Sequence, residues 1–100
     1  MATLIIDFKE IESFEDFYQQ LGEKTILPAY FGHNLDALWD FVTVDLAMPA
    51  QIIFENFTEQ KQEAYGVLLG LLEEAANEMP EDLAVQAFAK SYLSEDFSAN

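Results

Sequence analysis

Cysteine is missing from this chain, and basic side chains are scarce: four in all, against nineteen aspartates and glutamates. Without thiols there is no disulfide framework, no thiolate zinc site and no cysteine nucleophile, and a reducing compartment is expected. The shortage of cations leaves a formal net charge of −15. A chain so charged repels phosphates instead of neutralising them, which argues against a nucleic-acid partner and for a basic one. Solubility alone also keeps many surfaces acidic, so the position of the carboxylates must decide between the two readings. Histidine occurs once, at position 33. Long hydrophobic runs are absent too: the apolar stretch near the start, Leu4 to Ile6, falls far short of the roughly 20 residues that cross a bilayer, and no basic leader region precedes it. These absences lead us to expect a cytoplasmic protein with no membrane partner and no cofactor.

What is present suits one domain. About half of the 100 residues are apolar, 51%, enough for a single packed core. Three short apolar runs, Thr3 to Ile6, Gln51 to Phe54 and Leu83 to Phe88, have the look of strands, the first two with little polar alternation, as in strands covered on both faces. The segments between them are long enough to be helical crossovers joining parallel strands. The layout β-α-α-β-α-α-β predicts an α/β fold, a small three-stranded parallel sheet packed by about four helices. Ser13 with Asp16 three residues on signals a helix start, Phe14, Phe17, Tyr18 and Leu21 follow at helical spacing, and Gly22 is expected to close it. A later helix, from about Ala64 to Met79, puts Tyr65, Leu68, Leu69, Leu72, Ala75 and Ala76 on one side and ends before Pro80. Gly66 and Gly70 within it suggest close packing. From Lys90 to Asn100 the chain turns polar without periodicity, so residues 1–89 are expected to form the domain and 90–100 a loosely held tail.

The segment Leu27 to Asp40 is the informative one. Pro28 disfavours helix in the residue before it, Gly32 permits an unusual backbone, and Asn34 is a strong cap for a helix running to about Val44. Leu35, Leu38 and Val42 supply the buried stripe, while Asp36 and Asp40 stand on another face. Two like charges four residues apart cost a helix roughly 0.2–0.5 kcal/mol. Asp36 is partly compensated by the helix dipole, whereas Asp40 lies too far along, so something other than helix stability keeps Asp40 there. Tyr30, Phe31 and Trp39 put rigid aromatic area beside these carboxylates, the composition of an interface hot spot, although core packing is the plainer account of Trp39 alone.

The run Leu-Pro-x-Tyr-aromatic-Gly-x-Asn-Leu-Asp-Ala-Leu-Trp-Asp over Leu27 to Asp40 resembles the barstar family, intracellular inhibitors of barnase-type ribonucleases, and the likeness continues collinearly from Thr3 to about Phe88. The resemblance implies a three-stranded parallel sheet packed by helices, whose second helix and preceding loop plug a ribonuclease active site. It implies no catalytic and no metal-binding residues. It makes Tyr30, Phe31, Gly32, Asn34, Asp36, Trp39, Asp40, Thr43 and Glu74 the partner-binding set, with Asp40 as a central anchor in the place of a substrate phosphate. Asp36 becomes a second acidic contact and Glu74 an outlying one. A ribonuclease site is cationic because it binds phosphate, and a carboxylate held there makes charge-assisted hydrogen bonds. The sequence departs from the family at Phe31, often a second tyrosine, at His33, a variable position, and at Asp45, where barstar carries a tryptophan.

Two rival readings differ in class. An enzyme could draw on His33, Asp36 and Asp40, yet there is no second histidine, no Gly-rich phosphate loop and no Ser-His-Asp set. An acidic adaptor or immunity-type protein for a different basic toxin or nuclease would keep the same fold with another partner.

Overall fold

The structure, a computed structural model, describes residues 1–92. Its centre is a three-stranded parallel sheet of β1 (Ala2–Asp7), β2 (Ala50–Glu55) and β3 (Leu83–Ala87), in the spatial order β1-β2-β3. Leu4 lies opposite Ile52 and Ile52 opposite Val85, while Ile6 lies opposite Phe54 and Phe54 opposite Ala87. Side chains alternate between the two faces of a strand. These rows therefore share the face that carries the core, and Leu4, Ile6, Ile52, Phe54 and Leu83 belong to one continuous cluster with the buried helix residues. Ile53 is buried as well but lies outside that cluster, on the reverse side.

Three helices pack on the core side: α1 (Phe14–Lys24), α2 (Leu35–Asp40) and α3 (Glu59–Glu78). Among the described residues these are three α-helices, slightly fewer than the about four expected, because one long helix fills the span between β2 and β3. It bends where Tyr65 leaves helical geometry at φ −126°, ψ 15°. There the Tyr65 ring packs 5.1 Å from Phe14 and 5.9 Å from Phe8. The helix also starts earlier than its apolar stripe suggested, since the Thr58 side chain caps it by accepting from the Lys61 N–H. Lys61 in turn donates to the Ile11 carbonyl and reaches Glu12 at 3.4 Å, tying the polar first turns to the chain before α1.

Ser13 caps α1 as its sequence implied, by accepting from the Asp16 N–H. Gly22, however, lies inside the helix, which closes at Thr25. A Cβ at Gly22 would stand 3.3 Å from the Leu27 side chain, so the glycine leaves room for the returning chain instead of ending the helix. Under the sheet's C-terminal end an aromatic cluster gathers, with Phe8 centroids 4.6 Å from Phe54 and 4.7 Å from Phe57. Burying each such ring contributes about 1.5–3 kcal/mol. The tail expected from Lys90 falls mostly outside the described residues. Within them, the Tyr92 N–H donates to the Glu55 carboxylate at 2.9 Å and the Phe57 N–H to the Phe88 carbonyl at 2.9 Å.

Candidate functional site

The loop ahead of α2 is shaped by its two ends. At its start the Phe31 N–H donates to the Pro28 carbonyl at 3.0 Å, closing a turn. At its finish Asn34 is extended and its side-chain oxygen accepts from the Ala37 N–H at 2.8 Å, so the cap read from the sequence is formed. Gly32 was expected to supply an unusual backbone, but no glycine among the described residues has a positive φ; what it leaves is room, since a Cβ there would come within 2.8 Å of the Asn34 side-chain nitrogen. The half-buried Phe31 turns its ring toward Tyr18 and Phe41, with centroids 5.9 and 6.1 Å away. Tyr30, its neighbour, is left 83% exposed. His33 reaches α1, its Nδ1 lying 2.5 Å from Glu15 Oε2 and its ring stacked on Tyr18.

On α2, Leu38 is fully buried, and Leu35 and Trp39 are half-buried against the core. Asp36 and Asp40 are exposed. Among the described residues the lysine ion pair is Lys61–Glu12 and the His33 ring contacts Glu15, so no cation among them neutralises either aspartate. The helix was expected to reach Val44, but at Phe41 it widens into a π-helical stretch, Phe41–Asp45, closed by the Leu46 N–H on the Phe41 carbonyl at 2.8 Å. Val42, Thr43 and Val44 are β-branched and poor at holding a regular helix. Thr43 adds a hydroxyl that donates to the Trp39 carbonyl at 2.7 Å. In an α-helix Asp45 would stand about 140° around the axis from Asp40. Bonding between residues five apart draws such positions toward one side, and Asp45 lines the same groove as Asp40.

Two grooves flank α2. The first, about 340 Å³, is lined by Tyr30, Phe31, Gly32, Asn34, Asp40 and Asp45 among others. The second, about 660 Å³, runs between α2 and α3, with Asp36 and Trp39 on one wall and Gly70, Leu71, Glu73 and Glu74 on the other. Eight of the nine residues proposed from sequence thus line one groove or the other. Thr43 lines neither and is half-buried behind them, bonded to its own helix. Sequence reasoning missed Val67, Gly70 and Leu71 in the second groove and Asp45 in the first. Gly66 and Gly70 offered a signal that was taken for close packing. That expectation is corrected, since nothing approaches within 4 Å of a Cβ placed at either, and Gly70 instead keeps the second groove open.

Both grooves offer carboxylate acceptors beside aromatic and aliphatic surface. Such an arrangement can receive guanidinium or ammonium groups, with the apolar walls excluding water around the charges. Tyr18, beneath the loop, is pushed above the ordinary tyrosine value by its burial and then by the negative charge of Glu15.

Comparison with known proteins covers most of the chain. Residues 1–90 match the family described as Barstar (barnase inhibitor). The chain is also 39% identical over 57 residues to the "Putative ribonuclease inhibitor YrdF" of Bacillus subtilis (strain 168). That alignment takes in 57% of this chain and 63% of the other protein, so it spans somewhat less than two thirds of the relative's length.

Proposed function

The chain belongs to the barstar family, and on that premise we propose that it inhibits a basic, barnase-type ribonuclease in the cytoplasm by inserting α2 and the loop before it into the enzyme's active site. The protein is not itself an enzyme in this reading. Residues 1–89 form the inhibitor domain, and the polar segment 90–100 is appended to it. Asp40 takes the place of a substrate phosphate among the enzyme's cationic groups, and Asp36 makes the second acidic contact. Tyr30, Phe31, Gly32 and Asn34 shape the plug, Trp39 supports it from α2 and Thr43 from the π-helical stretch after it, and Glu74 meets the partner from α3.

The observation that carries this reading is that Asp36 and Asp40 are exposed and without a neutralising cation among the described residues. A pair of unneutralised carboxylates costs the free protein stability and gains its value when a partner supplies the counter-charge. For scale, close charge pairs between barnase and barstar themselves have coupling energies of about 1.5–7 kcal/mol. Titration calorimetry against a barnase-type ribonuclease tests the assignment. Asp40→Ala is expected to cost at least about 2 kcal/mol of binding and Glu74→Ala distinctly less, because a central desolvated anchor outweighs a rim contact. Equal, small losses in the two variants would discard the plug.

One observation favours a second reading, a different basic nuclease or toxin as partner. Asp45 adds a carboxylate to the groove that holds Asp40, and a partner matched to it carries an additional cation at that point. Binding that weakens on Asp45→Ala with such a nuclease, but not with a barnase-type enzyme, selects this alternative.

A further inference from the structure

We infer that His33 and Glu15 form a latch that fixes the partner-binding loop on α1 and so pre-positions Tyr30 and the start of α2, an inference that rests on the functional reading above. Nδ1 of His33 lies 2.5 Å from Glu15 Oε2, a contact between residues eighteen apart in sequence. A carboxylate only accepts, so Nδ1 carries the proton and donates. The imidazole is stacked on Tyr18 at 5.4 Å with 19° between planes, and its centroid is 5.9 Å from that of Phe31. The cleft it occupies is lined by Phe14, Tyr18, Asn34, Leu35 and Val67. Glu15 and Tyr18 are thus the titratable groups that face the ring.

The placement gives the contact its consequence. Tyr30 is 83% exposed, so little of its own surface fixes it. Its direction is set by the residues around it, Phe31 held inward and His33 held on α1. Asn34, next after His33, caps α2. That helix has only six α-helical residues, too few to fix its own N-terminus without tertiary help. A loop that must be ordered on binding loses affinity for each side chain it immobilises. The latch meets that cost during folding, through a partly exposed hydrogen-bonded contact whose worth is modest.

His33 and Glu15 are positioning residues: they act through Tyr30 and α2 and need not touch the partner. The test compares the full chain with His33→Ala and Glu15→Gln in two measurements. In the free protein, amide exchange at Phe31 and Ala37, whose N–H groups bond the Pro28 carbonyl and the Asn34 side chain, is expected to quicken roughly two- to fivefold, the span an exposed pair supplies. The amides of β2 should keep their protection. Binding to a barnase-type ribonuclease should weaken by a similar factor. In a Tyr30→Ala background that penalty should shrink to within about twofold of none, as for residues that act as a unit. Unchanged exchange at Phe31 and Ala37 would overturn the latch, and so would a penalty that survives undiminished without Tyr30. If the parent chain leaves the ribonuclease unbound, the functional reading fails, and the exchange data alone decide the latch.

Discussion

Tyr18 joins the core to the loop: its side chain is 3% exposed, packs 5.3 Å from Phe17 and stacks under His33. Burial and the neighbouring Glu15 both disfavour the phenolate, so the phenol titrates above its ordinary value of 10.0. A group whose acidity is weakened by folding contributes stability that is complete below the unfolded value and is lost as pH rises through the folded one. We therefore expect unfolding free energies from urea titrations to lose a contribution progressively above about pH 10. In Tyr18→Phe that part of the alkaline loss should vanish. Identical pH profiles for the two proteins would refute the assignment. Asp40 shows the opposite economy at the same scale, an exposed charge left beside Asp36 at some cost to the free helix.

Among the elements, the strands were the most legible. Their apolar runs ended within a residue or two of the observed bounds, because a short interior strand leaves little room for another reading of Leu4 to Ile6 or Ile52 to Phe54. Caps were equally clear at Ser13 and Asn34, where the signal is one side chain serving one amide. Helix ends and bends were not. Whether α2 gives way at Phe41, whether α3 runs straight through Tyr65 and whether Gly22 closes α1 depend on what each residue meets across the core, and local sequence carries little of that. The candidate site was read from the sequence almost whole on the α2 side, where Tyr30, Asn34 and Asp40 belong to one contiguous motif. It was read poorly on α3, where Gly70 and Leu71 enter only through packing between helices. Gly70 is exposed in the interior of α3 with open space before it. Gly70→Ala should accordingly raise stability by up to about 1 kcal/mol in thermal or urea unfolding, since a helical glycine is costly and no clash opposes the methyl group. Destabilisation would mean that the second groove closes tighter than its geometry indicates.

For the molecule as a whole, charge sets the manner of encounter. With a net charge of −15 and its grooves lined by carboxylates, the protein should meet a basic ribonuclease under long-range attraction, which salt screens over about 10 Å at 0.1 M. Stopped-flow association rates are expected to fall by one order of magnitude or more between low and high salt, while dissociation changes little. Rates that ignore ionic strength would count against steering and leave the negative charge to solubility. The order of the sheet carries a consequence for timing. Every rung joins segments roughly 30 to 50 positions apart, β1 to β2 and β2 to β3. A chain still emerging from the ribosome carries β1, Tyr30, Asp36 and Asp40 before it carries β2 and β3. On the proposed function, the partner-binding face is therefore complete only when synthesis has passed β3.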